Sequence, residues 1–281
     1  MKKVLITGSK GFTGKELKEL LKKKKYEVIE IDCDISNKKE LAENLLHLDF
    51  DYVVHLAAIT NVEFKNVSVI NKINVDGTIN LLSVINNYKL SPKLIIIPSS
   101  AYVYGSPKNC TLSESSELNP LNSYGKSKLI MENLSKDFGN LPILITRPFN
   151  YTGQGQDLSF LIPKIISHLK LKKKKIQLGN LNVKREFNDV RDICKIYIKF
   201  LENIRSSDTV NICSGKSYSI RCIIEICQRL TGHHIDIVIN SDLKRKKEIN
   251  EIVGDPRKMN SMIGNYKFIS LEDSLKFMLF N

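Results

Sequence analysis

Tyr124 and Lys128 stand four residues apart in Tyr124-Gly125-Lys126-Ser127-Lys128, a spacing that places both on one face of a helix. A lysine ammonium beside a phenol favours the phenolate, so such a pair can exchange a proton with a substrate hydroxyl or carbonyl. Ser99-Ser100 closes a predicted strand upstream, where a hydroxyl can point at the same carbonyl. A second group is Thr7-Gly8-Ser9-Lys10-Gly11-Phe12-Thr13-Gly14, between a predicted strand and a predicted helix. There Gly8 permits a tight turn, and Gly11 lets backbone approach a pyrophosphate on the helix N-terminus. Gly14 lets helix and strand pack closely. Asp32 ends the second predicted strand, where a carboxylate accepts hydrogen bonds from an adenosine ribose. Together these groups imply proton exchange coupled to hydride transfer with a nicotinamide.

The elements that must hold these residues alternate. Strands are predicted at Lys3–Thr7, Tyr26–Asp32, Tyr52–Ala58, Lys93–Ser99 and Pro142–Arg147, with helices at Lys15–Lys24, Glu40–Leu48, Val75–Tyr88 and Tyr124–Asp137. That rhythm predicts an α/β fold, a Rossmann-type doubly wound parallel sheet. After Asn150 the rhythm breaks. Helices are expected near Phe160–Leu171, Arg191–Glu202 and Ile220–Gly232, with strands near Lys175–Leu178, Val210–Ile212 and Asp236–Val238. The reading is a dinucleotide-binding domain over 1–150 and a smaller C-terminal α/β substrate lobe over 151–281. Segments at about 180–205 are expected to return to the Rossmann sheet.

Composition narrows the classes. Hydrophobic residues are 42% of 281, enough for a sizeable core. No apolar run is long enough to span a membrane, and the N-terminus lacks signal-peptide regions, so a cytoplasmic protein is expected. The six cysteines form no CxxC pair and have no histidine at ligand spacing, so no metal is expected. The net charge of +13 sits largely in lysine runs, Lys22–Lys25 and Lys172–Lys175. Neither run interleaves with aromatics, so no nucleic-acid partner is expected. His55, mid-strand, reads as a core histidine.

In this order, TGSKGFTG, HLAA, PSSAYVYG and YGKSK resemble the extended short-chain dehydrogenase/reductase family, whose members mostly modify nucleotide sugars. The similarity continues through Arg147-Pro148-Phe149-Asn150, Arg185–Asp192 and Asn211–Gly215 and covers essentially the whole chain. The resemblance implies catalytic roles for Ser100, Tyr124 and Lys128. It places Gly8, Lys10, Gly11, Phe12, Thr13, Gly14, Asp32, Asp34 and Ile35 along the pyrophosphate and adenosine of the cofactor. Leu56, Ala57, Ala58, Tyr124, Lys128 and Pro148 fall around the nicotinamide riboside. Ser100, Ala101, Tyr102, Asn150 and Arg185 face a nucleotide-sugar substrate, where an arginine gives bidentate bonds to phosphate. Relatives carry another arginine late in the chain, matched by Arg245 or Lys246. A homodimer through the helices at Val75–Tyr88 and Tyr124–Asp137 is implied as well.

The resemblance also sorts reactions. A dehydratase has an Asp-Glu pair after the catalytic serine; Ala101 and Tyr102 stand there, so dehydration is not expected. A 3,5-epimerase–reductase needs a Cys and His pair; Cys110 and His168 are displaced from those places. What remains is a 4-epimerase with bound NAD or a 4-reductase. The segments RPFNYTGQGQ and REFNDVRDI favour NAD(P)H-dependent 4-reductases of dTDP- or GDP-linked 4-keto-6-deoxyhexoses, which serve surface polysaccharides. A cofactor-sensing binding protein of this fold is expected to have lost the tyrosine or the lysine; both are present. NADH against NADPH stays open, because Asp32 repels a 2′-phosphate and Lys10 attracts one.

Overall fold

The computed structural model describes residues 1–62, 64–107, 111–241 and 250–281. The N-terminal part runs β1 (Lys3–Thr7), α1 (Phe12–Lys23), β2 (Glu27–Glu30), α2 (Lys38–Leu45), β3 (Tyr52–His55), α3 (Val67–Asn71), α4 (Gly77–Asn87) and β4 (Leu94–Pro98). Then come β5 (Thr111–Leu112), α5 (Ser123–Ser135), β6 (Ile143–Pro148) and β7 (Tyr151–Thr152). The rest is α6 (Leu161–Lys170), β8 (Lys175–Leu178), β9 (Lys184–Arg185), β10 (Asn188–Asp189), α7 (Val190–Asn203), β11 (Asp208–Ile212), β12 (Tyr218–Ser219), α8 (Ile220–Thr231), β13 (Asp236–Ile239), β14 (Glu251–Gly254), α9 (Arg257–Ile263) and α10 (Leu271–Phe280).

Six parallel strands form one sheet in the order β11-β6-β4-β3-β1-β2. Their side chains alternate between two cores. Val4, Ile6, Val54 and Ile96 pack with Leu17 and Leu21 of α1 and Ile193 and Tyr197 of α7. Leu5, Val53, Ile95 and Ile97 pack with Leu41 of α2, Leu81 and Ile85 of α4 and Met131 of α5. Central strands are apolar on both faces because helices cover both. The chain leaves β1 for β2 on one side and returns to β3 on the other. That reversal opens a crevice beyond the C-terminal ends of β1 and β3, where ligands of such sheets bind.

A separate core joins α6, α8 and α10 to β8 and β13 through Ile162, Ile166, Ile223, Ile224, Leu275 and their neighbours. A four-stranded sheet β12-β9-β14-β5 and the pair β10-β7 connect this lobe to the Rossmann half. The element that re-enters the large sheet is β11, beyond the expected 180–205 stretch, with α7 packed on α1 beside it. No helix of the described residues is long and apolar enough to cross a membrane.

Two expected elements are corrected. The second strand ends at Glu30, so Asp32 lies past the sheet rather than at a strand end. The chain turns away there because Asp34 accepts from the Ser36 backbone N–H (2.9 Å) and hydroxyl (2.6 Å), closing a local turn. The helix expected from Val75 begins at Val67, capped by the Asn66 side chain on the Val69 N–H (3.1 Å). It reaches α4 through a π turn at Lys72–Asp76. That extra residue shifts the apolar phase, so a single 3.6-residue period cannot follow both halves.

Candidate active site

Two glycines make the cradle. Gly8 has φ of +69°, and a Cβ on it would lie 2.6 Å from the Ala57 nitrogen. A Cβ on Gly14 would lie 2.3 Å from the Gly8 carbonyl oxygen. The β1–α1 loop, the first turn of α1 and the chain leaving β3 therefore meet backbone to backbone. Leu56 N–H bonds the Thr7 carbonyl at 3.0 Å, and Ala58 follows in the same segment. The α1 N-cap is Gly11, and no side chain among the described residues caps that helix. The N–H groups of Phe12, Thr13 and Gly14 are thus available at the positive end of the helix dipole. This side-chain-free cradle fits a dinucleotide pyrophosphate. The Phe12 ring stacks on Tyr151 (6.1 Å, 11°), and the Thr13 hydroxyl bonds the Tyr151 hydroxyl at 2.9 Å. Those two side chains fasten the loop and leave its backbone for the ligand.

Where the resemblance puts the adenosine, the Ser36 bonds hold the Asp34 carboxyl below its ordinary pKa. Asn80 Nδ2 donates to the carbonyls of Ile35 and Ser36, both at 3.1 Å. Ile35 is buried against Gly77, where a Cβ would lie 2.6 Å from Ile35 Cδ1. Lys10 and Asp32, expected to pull cofactor choice in opposite directions, pair with each other: Nζ to Oδ2 is 2.5 Å, with the side chains 74% and 81% exposed.

Beneath the cradle runs an ordered chain of hydrogen bonds. The Ala57 N–H donates to Thr7 Oγ1 (3.2 Å), and Thr7 Oγ1 meets His55 Nδ1 at 2.7 Å. His55 Nε2 meets Thr78 Oγ1 at 2.9 Å, and that hydroxyl donates to the Asn74 carbonyl (2.8 Å). Because Thr78 spends its proton on Asn74, it accepts from His55; the proton therefore sits on Nε2, and Nδ1 accepts from Thr7. Asn74, in the π turn, grips Ile59 through both its backbone groups and donates to Ser127 Oγ at 3.1 Å. Ser127 donates in turn to the Tyr124 carbonyl (2.8 Å). One line of contacts thus joins the cradle to the helix carrying Tyr124. Burial pushes the His55 imidazole down to about 3, with Lys128 adding to the effect. The sign follows. Unfolded chains take up a proton at this residue below about 6.5, while the native state does not until about 3, so stability falls as pH falls through that window. Between pH 7 and pH 5 the His55→Gln variant should lose about 2 kcal/mol less than the parent. Urea unfolding at the two pH values measures it; equal losses would contradict this account of His55.

Ser100 caps the short 3-10 turn Ala101–Tyr104, its Oγ accepting from the Tyr102 N–H at 3.2 Å. Ser100 lies beside the Tyr124 phenol and opposes its upward shift, so the structure brings these two predicted residues together. Ser99 Oγ is buried and has no partner among the described residues, which separates the two serines. Tyr124 is buried, with the Tyr102 ring edge-on at 5.9 Å. The expectation that Lys128 lowers the tyrosine is corrected. Burial drives the phenol up, the nearby Tyr151 and Tyr102 add to this, and Ser100 opposes it. The reason is where the ammonium points: Lys128 Nζ donates to the Pro98 carbonyl at 2.7 Å. Burial brings the Lys128 ammonium down to about 8, with Glu132 opposing the shift.

Of the residues expected to face the substrate, Ala101 is buried and Tyr102 half-buried on the same turn. Asn150 follows Pro148 off the end of β6, and its carbonyl accepts from the Asn188 N–H at 2.9 Å. Arg185 lies in β9, its guanidinium on the carbonyls of Lys184 (2.7 Å) and Asn250 (3.5 Å). Arg245, Lys246 and Cys110 lie outside the described residues. His168 bonds the Lys164 carbonyl of its own helix at 2.8 Å, away from any acid/base role. No group of three or more His, Cys, Asp or Glu suited to a metal occurs among the described residues.

Sequence reasoning missed Asn74, Thr78, Asn80 and Tyr151. The first three look like ordinary polar positions of an amphipathic helix, and no spacing marks them. Glu186 was read only as part of a similar segment. It is 1% exposed, and its carboxylate accepts from the N–H groups of Gly254 (2.6 Å) and Ser214 (2.7 Å). Asn188 Nδ2 (3.2 Å) and the Ser214 hydroxyl (3.1 Å) complete the set.

Residues 4–213 match the model of the NAD dependent epimerase/dehydratase family. The chain is 35% identical to GDP-6-deoxy-D-talose 4-dehydrogenase of Aggregatibacter actinomycetemcomitans, over 99% of this chain and 97% of that one. It is 29% identical to GDP-6-deoxy-D-mannose reductase of Pseudomonas aeruginosa, over 99% and 96%. The solved structure of RMD from Pseudomonas aeruginosa, complexed with NADPH, superposes with a TM-score of 0.90 at 27% identity, covering 99% and 96%. The glycine cradle, and Ser100 beside Tyr124, agree with a match that spans most of the sequence, and the chain belongs to the NAD dependent epimerase/dehydratase family.

Proposed function

We propose that this chain is an NAD(P)H-dependent reductase of the C4 ketone of a nucleoside diphosphate-linked 4-keto-6-deoxyhexose, with guanosine as the base. The observation that carries the reading is the placement of Tyr124: it is buried one helical turn before Lys128, whose Nζ is held on the Pro98 carbonyl at 2.7 Å, and its ring meets Tyr102 edge-on at 5.9 Å on the turn that Ser100 caps. A ketone reduction needs a proton donor ready at the carbonyl oxygen, and a phenol that burial pushes up supports that direction. The names of the two relatives above, both GDP-6-deoxyhexose enzymes, support the substrate class.

In this reading the nicotinamide, when bound, supplies the hydride. Gly8, Gly11 and the open N–H groups of α1 hold the pyrophosphate, and the segment Leu56–Ala58 with Pro148 walls the riboside. Ser100 orients the carbonyl oxygen towards Tyr124, which gives up its proton to the forming alkoxide. Lys128 presents the donors left over from its bond to Pro98. Asn150 and Arg185 face the diphosphate; Arg245, which the resemblance assigns to the same role, lies outside the described residues. Ile130 and Leu134 of α5 are 42% and 40% exposed, which suits a homodimer through that helix. The five described cysteines are free thiols, as suits a reducing cytoplasm.

The test is incubation with GDP-4-keto-6-deoxymannose and either NADPH or NADH, following absorbance of the reduced cofactor. Stoichiometric oxidation with formation of a GDP-6-deoxyhexose is expected. No cofactor oxidation with the ketone, beside interconversion of a GDP-hexose and its C4 epimer without net cofactor consumption, would overturn the reading.

A further inference from the structure

Glu132 follows Lys128 by one helical turn on α5, the spacing at which a lysine and a glutamate ordinarily pair. They do not pair here: among the described residues Lys128 makes no ion pair, and its ammonium donates to the Pro98 carbonyl. Both oxygens of Glu132 are taken by Arg147 of β6, Nε to Oε1 at 2.9 Å and Nη2 to Oε2 at 2.6 Å. Both side chains are buried, 5% and 4% exposed. The guanidinium is fixed on its far side too. Nη1 donates to the Tyr104 hydroxyl (3.1 Å) and the Glu114 carbonyl (3.2 Å), and the group lies over the Tyr104 ring at 5.1 Å. Tyr104 donates to Asn211 Oδ1 at 2.6 Å, tying the network to β11.

We infer that Arg147 is a positioning residue for the active site: by occupying both oxygens of Glu132 it keeps that carboxylate off Lys128, so the ammonium stays on Pro98 with its remaining donors turned to a ligand. The inference rests on the reading of Lys128 as a cofactor-holding residue. Without the guanidinium, Glu132 is a buried carboxylate whose nearest helical neighbour of opposite charge is Lys128, and an unpaired buried charge recruits whatever cation it can reach. The ammonium then leaves Pro98 and closes on Glu132. Arg147 touches no reacting atom, yet its removal is felt where Lys128 acts.

The test measures NADPH binding by fluorescence, with folding followed by circular dichroism, in Arg147→Met, Arg147→Met/Glu132→Met, Arg147→Lys and Lys128→Met. Arg147→Met should weaken NADPH about 30-fold, the worth of charged hydrogen bonds lost at Lys128. The double variant, which removes both charges and fills the space with apolar groups, should bind within about 3-fold of the parent, because an ion pair replaced by apolar groups is often near neutral. Arg147→Lys, a point charge that holds one oxygen, should fall between them. Binding at parental strength in Arg147→Met, or a folded double variant as weak as the single one, would overturn the inference. Should the double variant not fold, an Arg147→Lys that binds no better than Arg147→Met overturns it. If Lys128→Met binds NADPH normally, the reading of Lys128 fails instead.

Discussion

Turnover in Tyr124→Phe should fall by about three orders of magnitude, in the range that a positioned general acid contributes. The substitution removes one oxygen and one proton. The ring stays, so its edge contact with Tyr102 at 5.9 Å and its burial persist. Ser100 keeps its bond from the Tyr102 N–H. The cradle lies on other elements, and NADPH binding should therefore be retained. What is lost is the phenolic proton, on a group that burial pushes up. Residual turnover should draw on water and keep the same product. Measurement of kcat with saturating ketone, beside fluorescence titration of NADPH, separates the two effects; a kcat near the parent value would remove Tyr124 from the chemistry.

Replacement of Glu186 by alanine should cost about 3–5 kcal/mol, the sum expected when buried backbone donors lose a charged acceptor. The residue sits where three pieces of chain converge: β10 through Asn188, the loop after β11 through Ser214, and β14 through Gly254. Relaxation cannot mend the gap cheaply. A Cβ on Gly254 would already lie 2.5 Å from the Cys213 Cβ and 2.7 Å from Phe149, so β14 has no slack on that side. For a chain of this length that cost corresponds to a fall in Tm of roughly 10 °C. Glu186→Gln, which keeps an oxygen but turns an amide towards N–H donors, should lose less. Thermal melts of the two variants check this, and an unchanged Tm in the alanine variant would show that the carboxylate holds nothing together.

What could be read in the sequence was what repeats or what is chemically rare. Apolar runs at β1, β3, β4 and β6 marked the parallel sheet, because strands buried on both faces are mostly apolar, with the polar residues gathered near their ends. Gly8 and Gly14 marked the cradle because a side chain at either would collide with backbone. The two-residue strands β5, β7, β9, β10 and β12 are too short to show any period, so the joining of the halves was not legible. Nor was the electrostatics of Tyr124. The four-residue spacing to Lys128 fixes a shared helix face, but the ammonium goes where its best acceptor lies, and that acceptor is the carbonyl of Pro98, thirty residues upstream. The π turn hid Asn74 and Thr78 by moving them out of the phase set by Ile70 and Val75.

The hydrogen-bond line through His55 has a consequence for exchange with solvent. Its Nε2 proton, held on Thr78 in a residue 4% exposed, has no route to water while the Rossmann half is closed. Exchange at that single proton therefore waits on an opening that separates β3 from α4, not on fraying of a loop. Followed by nuclear magnetic resonance in deuterated solvent, this one imidazole signal clocks how often the floor of the cofactor crevice comes apart.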